Sequence, residues 1–251
     1  MYNFFVEDGA REGDRYYITG TDLNHIKNVL RMKIGENLLI SDGGTSHLCA
    51  IEDFSEEAVT VSVVEENYND TELYARIYLF QGLPKGDKLE LIIQKAVELG
   101  VYEIIPVEMS RSVVKIEDKK KKSKQERWQA IAESAAKQSK RNIIPTVREA
   151  TSYKQAMEVA KTLDVLVVPY ENKDGMKATL ECFSKLKGAK SVGILIGPEG
   201  GFDEREVDMA MQVGGEVISL GKRILRAETA AITAVGAVML YIEMNGEVTE
   251  R

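Results

Sequence analysis

Two segments near the C-terminal end combine glycine with charged side chains in a pattern that could do chemistry. The first, IGPEGGFDE, follows the apolar run VGIL, and the second, SLGKRILRAET, follows Ile218. Glycine allows backbone angles and close approaches that a Cβ forbids, whereas proline fixes its own φ. The segments are either tight turns between strands and helices or a cradle of backbone amides for a ligand. In the second case the carboxylates Glu199 and Glu228 and the guanidinium of Arg226 could act on the bound molecule.

Part of this pattern has a purely structural interpretation. Asp203 can cap the helix that follows the first segment, and Glu206, three residues later, can complete a capping box. Glu228 falls near the first turn of the last helix, where a carboxylate favours the helix dipole, and Arg226 could simply pair with it. Residues 197–201 remain without such an explanation.

The common nucleotide and metal motifs are absent from the sequence. No GxGxxG string follows a first strand, and GEVISLGKR has one residue too many for a phosphate-binding loop, with Arg223 in its final place. The histidines His25 and His47 lie far from the glycine segments, so neither a metal site nor a histidine-activated nucleophile is expected there. A nucleotide hydrolase is therefore disfavoured.

The pattern of apolar residues predicts two domains. Short alternating runs with polar turns over residues 1–70 predict a small β-barrel with one helix at TDLNHIKNVLRM, and the polar stretch EENYNDTE predicts a linker. Residues 73–251 alternate apolar strands with amphipathic helices, which predicts an α/β domain with a mostly parallel sheet. Ligands bind outside the carboxyl ends of such strands, where both glycine segments and the loop after Val168 should meet.

Composition and charge indicate an ordinary globular protein of the cytoplasm. The chain has 251 residues, 44% of them hydrophobic, and its two cysteines are too far apart in sequence to indicate a disulfide framework. The longest apolar stretch, AITAVGAVMLYI, is expected to be too short for a bilayer, and no secretory leader is expected. The net charge is −7, yet residues 119–148 carry ten Lys or Arg against two Asp or Glu. This basic stripe favours contact with phosphates.

Several separated motifs resemble one known family. IGPEGG followed by LGKRILRAETA, together with QKAVELGVYEIIPVEMSRS and WQAIAESAAKQSKR, resembles the bacterial 16S ribosomal RNA (uracil-N3)-methyltransferases of the SPOUT superfamily. The segment HIKNVLRMKIGENLLISDG resembles the PUA-like RNA-binding barrel of that family. The resemblance covers nearly the full chain. One departure is Ala227, where many members have threonine.

The resemblance implies a fold, a cofactor and an assembly. The sheet of the larger domain would be tied into a deep trefoil knot, an exception to the rule that chains avoid threading. S-adenosylmethionine would bind in the knot against backbone amides and carbonyls, and a homodimer using the final apolar helix would complete the pocket. The residues expected to bind the cofactor are Val168, Pro169, Leu195, Ile196, Gly197, Pro198, Gly200, Gly201, Leu220, Gly221, Ile224, Leu225 and Arg226.

The resemblance also implies the reaction, methylation of N3 of a uridine in 16S ribosomal RNA, either free or in the assembled small subunit, with no metal. N3 bears a proton at neutral pH, so a base or a group that stabilises the anion is needed. Glu199 or Glu228 is the candidate base, and Arg226 is the candidate partner of the uracil carbonyls. The candidate RNA contacts are His25, Lys27, Arg31, Arg111, Ser112, Lys137 and Arg141.

Two alternatives remain open at this point. A related SPOUT enzyme could methylate a ribose 2′-hydroxyl or a tRNA base instead. A noncatalytic RNA-binding protein could use the barrel and the basic helix while the glycine segments merely turn, and such a protein would not respond to S-adenosylmethionine.

Overall fold

The structure is a computed structural model that describes residues 1–7, 9–170 and 176–246. The chain divides into two compact units. The first comprises Met1–Glu72 and Ala136–Ile144, and the second comprises Leu73–Ala135 and the described residues from Pro145 onward. The domain boundary expected from the sequence places residues 136–144 in the larger domain, whereas here they belong with the first unit.

Strands are the main regular secondary structure of the first unit. Its elements are β1 (Asn3–Phe5), β2 (Arg11–Glu12), β3 (Arg15–Ile18), α1 (Gly20–Asn24), a π-helix (His25–Val29), β4 (Asn37–Asp42), β5 (Thr45–Phe54) and β6 (Val59–Glu65). The sheet order is β1-β4-β5-β6-β3-β2, and β1 pairs with β4 in parallel while the other pairs are antiparallel. The side chains of Tyr16, Ile26, Leu38 and Ile40 are fully buried in its core.

Arg141 explains why residues 136–144 join this unit. Its side chain is only 3% exposed, and its Nε donates to Glu72 Oε1 at 3.0 Å. Its carbonyl accepts hydrogen bonds from Asn3 Nδ2 at 3.0 Å and from Ser41 Oγ at 3.2 Å. A buried guanidinium needs such partners because an unpaired charge is costly to desolvate. The contacts therefore fasten the segment to β1 and β4.

The second unit alternates strands and helices as predicted. Its elements are β7 (Arg76–Gly82), α2 (Lys88–Glu98), β8 (Val101–Glu108), α3 (Asp118–Ser139), β9 (Thr146–Val147), β10 (Thr151–Ser152), α4 (Tyr153–Ala160), β11 (Val165–Pro169), α5 (Lys177–Ser184), β12 (Ser191–Ile196), α6 (Glu204–Gln212), β13 (Gly215–Ile218) and α7 (Ala227–Asn245). The last residues of α3, 136–139, belong to the first unit. The order is β10-β8-β7-β12-β11-β13, with β9 beside β8. Every pair is parallel, which confirms the α/β class with a parallel sheet.

Both faces of this sheet are buried. On β7, Phe80 packs into a cluster with residues of α4 and α6, such as Met157 and Ala210. The alternate residues Ile77 and Leu79 are equally buried, and successive side chains of a strand point to opposite faces. Helices α2 and α7 contact each other and the central strands. The centre of the sheet is thus covered by helices, so functional groups must be sought at the strand ends.

Helix α3 begins at the N-terminal end of the basic stripe found in the sequence. The lysine run at residues 119–122 forms the first turns of this helix. Its lysines pair with local carboxylates, as Lys120 does with Glu117 at 3.3 Å. Trp128 is 5% exposed, so its side chain anchors this basic helix in the core.

Helix α7 contains the apolar stretch that the sequence analysis considered too short for a bilayer. The helix is 19 residues long and, by length and composition alone, could cross a membrane. A core helix passes the same test, and α7 buries Val235, Val238 and Ile242 completely against the unit. It also exposes Leu240 by 55% and Met244 by 74%. The helix therefore combines a core face with an exposed apolar face.

Candidate functional site

A cavity of about 470 Å³ lies where strands β11, β12 and β13 end. The three carboxyl ends meet at one edge of the parallel sheet, as expected for a ligand site in this architecture. The cavity is lined by Lys88, Pro169, Tyr170, Ile196, Gly197, Pro198, Glu199, Gly200, Gly201, Phe202, Ser219, Leu220, Gly221, Lys222, Arg223, Ile224, Leu225, Arg226, Ala227 and Ala230. The two glycine segments of the sequence thus form opposite parts of one site.

The first glycine segment is shaped partly by neighbours within the protein. A Cβ on Gly200 would lie 2.9 Å from both the Cβ and the carbonyl oxygen of Arg111, and a Cβ on Gly82 would lie 2.7 Å from the nitrogen of Pro198. Gly201 has a φ of +69°, and its N–H donates to the Pro198 carbonyl at 2.9 Å in a tight turn. These glycines bring three chain segments into direct backbone contact.

The second glycine segment is different because it is open on the cavity side. Gly221 has a φ of +107°, and apart from its chain neighbours no atom of the described residues lies within 4 Å of a Cβ placed there. The Ser219 N–H donates to Thr179 Oγ1 at 3.1 Å, and Thr179 Oγ1 donates to the Ser219 carbonyl at 2.8 Å. The loop is therefore anchored at Ser219, while the backbone beyond it has free space for a ligand.

The predicted capping box after the first segment is present. Asp203 caps α6 by accepting from the Arg205 N–H at 3.1 Å, and Glu206 Oε2 accepts from the Asp203 N–H at 2.9 Å. Glu206 is 5% exposed, and its Oε1 also accepts from the Ser110 N–H at 2.7 Å. Glu206 therefore holds the glycine segment next to the end of β8.

Most of the residues predicted to contact a cofactor line the cavity. The exceptions are Val168 and Leu195, which are fully buried strand residues just before the ends of β11 and β12. Their neighbours Pro169 and Ile196 do line it. Residues 171–175, which belong to the predicted loop after Val168, lie outside the described residues.

The sequence analysis missed Lys88, which lines the cavity from the first turn of α2. Its ammonium nitrogen lies 2.9 Å from Glu199 Oε1 and 3.6 Å from Glu228 Oε2. Glu199 Oε1 also accepts from the Lys85 N–H at 3.0 Å. Only the tertiary fold brings this lysine to the two carboxylates, and no spacing along the chain indicates it.

The two candidate bases have different surroundings. Burial alone would raise the pKa of Glu199, but the hydrogen bonds from Lys88 and Lys85 outweigh it, and the net pKa is lowered. The hydrogen bond to Glu199 in turn raises the pKa of Lys88. Glu228 Oε2 is buried and accepts no hydrogen bond from any described residue. Glu199 is thus held as a carboxylate by short hydrogen bonds, whereas Glu228 Oε2 has only the longer ion pair with the Lys88 ammonium at 3.6 Å.

The lowered pKa of Glu199 predicts a pH-dependent contribution to stability. Such a carboxylate stabilises the fold fully above its ordinary pKa of 4.5, and the contribution is lost as the pH falls through the lowered value. We expect E199Q to be less stable than wild type at neutral pH, measured by urea unfolding. The difference in free energy of unfolding between the two proteins should shrink steadily as the pH falls below the ordinary pKa of glutamate. A difference that stays constant down to that range and below it would contradict this assignment.

The third predicted catalytic group, Arg226, is exposed at the cavity rim. It lies at the N-cap of α7 with extended backbone, and its side chain makes no capping hydrogen bond. Lys222 and Arg223 line the same cavity. The predicted pairing of Arg226 with Glu228 is not among the ion pairs of the described residues. The cavity therefore carries three cationic side chains from the second glycine segment.

Two of the predicted RNA contacts lie beside the glycine segment. Arg111 is exposed and its Nη1 donates to the Gly200 carbonyl at 3.3 Å. The Ser112 hydroxyl accepts from the Met109 N–H at 3.3 Å. Neither residue lines the cavity, but Arg111 packs directly on the backbone that does.

The remaining predicted RNA contacts lie in the first unit and differ in exposure. His25, Lys27 and Arg31 are exposed in and just after the π-helix. Lys137 is partly exposed, and its ammonium is paired with Asp22 at 3.0 Å. Arg141 is buried and bonded to Glu72, so this geometry does not support a phosphate contact by its guanidinium. The π-helix gives the clearest cationic surface of this unit.

Within the described residues there is no group of three or more His, Cys, Asp or Glu side chains that could hold a metal ion. The groups available to a ligand in the cavity are backbone amides and carbonyls, apolar side chains, cations and the carboxylate of Glu199. The predicted base Glu228 is not among the residues that line it. Such a lining suits an organic molecule with both apolar and polar parts.

Comparison with known families gives two matches along the chain. The profile of a family described as RNA methyltransferase domain matches residues 71–239. A second, described as RNA methyltransferase PUA domain, matches residues 18–64. The first match contains the whole cavity, and the second lies within the strand-rich unit.

Full-length relatives and a solved structure agree with these matches. The chain is 40% identical to ribosomal RNA small subunit methyltransferase E of Bacillus subtilis strain 168, over 97% of this chain and 98% of that protein. It is 36% identical to the protein of the same name from Mesomycoplasma hyopneumoniae strain 232, over 92% and 96%. A crystal structure of the protein of that name from Neisseria gonorrhoeae, bound to S-adenosyl methionine, has a TM-score of 0.82 at 29% identity and covers 96% of this chain and 97% of its own.

Proposed function

Because this chain belongs to the RNA methyltransferase family with an N-terminal PUA domain, we propose that it methylates N3 of a uridine in 16S ribosomal RNA with S-adenosylmethionine as methyl donor. The observation that carries the proposal is the cavity formed by both glycine segments at the carboxyl edge of the sheet. The relatives named as small-subunit methyltransferases align over nearly the whole chain, so substrate-binding and catalytic parts are both represented.

The cavity fits the proposed cofactor. Its volume of about 470 Å³ is in the range of small-molecule and cofactor sites. Leu220, Leu225 and Ile196 offer apolar walls, and the open backbone at Gly221 offers amide and carbonyl groups for the edge of an adenine. When bound there, S-adenosylmethionine supplies an electrophilic methyl group on a sulfonium. The protein must then orient the uridine and take up its N3 proton.

Glu228 is the better of the two candidates for the proton acceptor. Glu199 is engaged by Lys88 and Lys85, and its lowered pKa makes it a weak base. Glu228 lies on the first turn of α7, immediately behind the cavity residues Arg226 and Ala227, and its Oε2 has no hydrogen bond from a described residue. We therefore assign proton uptake to Glu228 and the anchoring of the glycine segment to Glu199.

Arg226 is proposed to bind the uracil carbonyl oxygens. Loss of the N3 proton places negative charge on both neighbouring oxygens, and a guanidinium presents several donors in one plane. Arg226 is exposed at the rim and adjoins the helix that carries Glu228. The base would thus act on N3, and the cation would act on the carbonyl oxygens on either side of it in the same uracil.

The RNA around the target nucleotide is proposed to contact cations of both units. Arg111 and Lys222 lie close to the cavity, and His25, Lys27 and Arg31 are exposed on the first unit. Phosphate contacts from such residues position a substrate without reading its sequence. Lys137 could contribute only by sharing its ammonium with Asp22.

The proposal includes a trefoil knot, a homodimer and a cytoplasmic location. The path of the chain supports the knot, since β13 lies at the sheet edge while α7, which follows it, contacts β7 and β12 in the middle. The exposed Leu240 and Met244 of α7 support a dimer interface on that helix. A protein that acts on ribosomal RNA would work in the cytoplasm.

The function is tested by identifying the product. The protein and a labelled methyl donor would be incubated with small ribosomal subunits, with naked 16S RNA and with tRNA, and the modified nucleoside would be identified by mass spectrometry. We expect N3-methyluridine in one or both of the first two samples. Comparison of those two samples shows whether the assembled subunit is needed.

Other outcomes would overturn the proposal in distinguishable ways. A ribose-methylated nucleoside, or product only in tRNA, would indicate a related enzyme with another acceptor. Binding of RNA without any heat of binding for S-adenosylmethionine would indicate a noncatalytic RNA-binding protein.

A further inference from the structure

Lys88 lies at a junction of three segments that are far apart in the sequence. It belongs to the first turn of α2, Glu199 belongs to the glycine segment after β12, and Glu228 belongs to the first turn of α7. Its ammonium nitrogen is 2.9 Å from Glu199 and 3.6 Å from Glu228, and the residue lines the cavity. One cation thus touches the cofactor cradle and faces the proposed base.

The three side chains are partly buried, which strengthens the electrostatic interactions between them. The side chains of Glu199 and Glu228 are 26% and 16% exposed, and that of Lys88 is 34% exposed. Two partly buried carboxylates at one edge of a cavity repel each other unless a positive charge lies between them. Among the described residues, Lys88 is the cation that lies within ion-pair distance of both carboxylates. Its positive charge offsets their mutual repulsion and holds both side chains in place.

We propose that Lys88 is a positioning residue that couples the cofactor cradle to the proton acceptor. Through Glu199 it fixes the glycine segment, and through Glu228 it fixes the direction of the carboxylate on α7. This inference rests on the proposed function, because the base and the cofactor are those assigned above. It predicts that loss of the ammonium weakens cofactor binding. It also predicts that methyl transfer slows even when the cofactor is saturating.

The test replaces the ammonium and then restores it. In K88C the ammonium is absent, and alkylation with 2-bromoethylamine rebuilds a side chain of nearly lysine length with a terminal ammonium. The native thiols Cys49 and Cys182 are fully buried, and burial raises the pKa of each to about 12, so both should resist alkylation. The reagent should therefore modify position 88 selectively, which mass spectrometry checks.

We expect K88C to lose about 100-fold in single-turnover methylation rate at saturating cofactor, since small displacements of reacting groups cost that much. We expect its S-adenosylmethionine affinity to fall about tenfold, measured by calorimetry. Alkylation should recover most of both losses. If Lys88 were purely structural, K88C would be less stable but would not show a larger loss in methylation rate than in cofactor affinity. Alkylation would then not restore the methylation rate.

K95C is the matched control. Lys95 lies on the same helix, its side chain is 39% exposed, and it forms an ion pair with Glu98 at 2.8 Å, but it does not line the cavity. K95C, before and after alkylation, should behave as wild type in both assays. If K88C behaves like K95C, or if alkylation restores nothing, the inference is wrong.

Two further results keep the inference separate from the proposed function. If wild type neither binds S-adenosylmethionine nor methylates RNA, the proposed function fails and Lys88 needs no explanation. If wild type is active and K88C does not fold, K88R and K88Q are compared in the same assays. The inference then requires K88R to retain more activity than K88Q, and equal activities would reject it.

Discussion

E228Q is expected to lower the rate of methyl transfer by about 10²- to 10⁴-fold, the usual contribution of a positioned acid or base. Glutamine keeps the size of the side chain but cannot accept a proton from uridine N3. The change breaks no hydrogen bond from a described residue to the buried Oε2 of Glu228, although it weakens the ion pair of this atom with the Lys88 ammonium at 3.6 Å. The loss should therefore appear in the single-turnover rate at saturating cofactor, with little change in cofactor affinity.

Two variants control this prediction. E243Q alters an exposed carboxylate near the C-terminal end of the same helix, whereas the cavity residues lie at its N-terminal end. This variant should retain the wild-type rate. E199Q should act differently from E228Q, mainly by weakening cofactor binding, because Glu199 anchors the glycine segment to Lys85. A full methylation rate in E228Q would show that Glu228 is not the base.

G200A is expected to reduce both S-adenosylmethionine affinity and stability. The added Cβ would lie 2.9 Å from the Arg111 carbonyl oxygen and from its Cβ, so backbone on one side or the other must move. Such overpacking typically costs about 1–3 kcal/mol of unfolding free energy. Because Gly200 lines the cavity, we expect its displacement to weaken cofactor binding by about tenfold or more.

G236A is the control for this change. Gly236 lies inside α7, where a Cβ would meet Leu99 at an ordinary contact distance of 3.9 Å. Alanine is favoured over glycine in a helix interior by about 1 kcal/mol, so stability should stay equal or rise. Calorimetry with the cofactor and urea unfolding would measure both variants. Unchanged affinity in G200A would mean that the glycine segment does not hold the cofactor.

The sequence predicted those features that depend on local pattern. The alternation of strands and helices from Tyr74 onward indicated the parallel sheet, and every strand pair of that unit is parallel. The glycine segments were identified from their residue types, and the structure gives the reason, since Gly201 and Gly221 have positive φ values and Gly200 has no room for a Cβ. Such requirements are visible in residue types alone, since only glycine meets them cheaply.

The features that the sequence did not reveal depend on distant partners. Lys88 meets Glu199 across more than one hundred positions of the chain, and no local period reports such a contact. Arg141 is part of a basic stripe, yet Glu72 turns it into a buried structural residue. Charge alone does not show that the lysine run begins α3, where carboxylates such as Glu117 pair with it.

Because residues 136–144 belong to the first unit, this unit cannot complete its folding early in synthesis of the chain. A chain that emerges from its N-terminus exposes Asn3, Ser41 and Glu72 long before Arg141 and Asn142 exist to bind them. More than half of the molecule must be synthesised before the small unit can close. A fragment that ends at residue 72 would contain those polar groups without their hydrogen-bond partners. Expressing this unit as an intact domain therefore requires that residues 136–144 be fused to it.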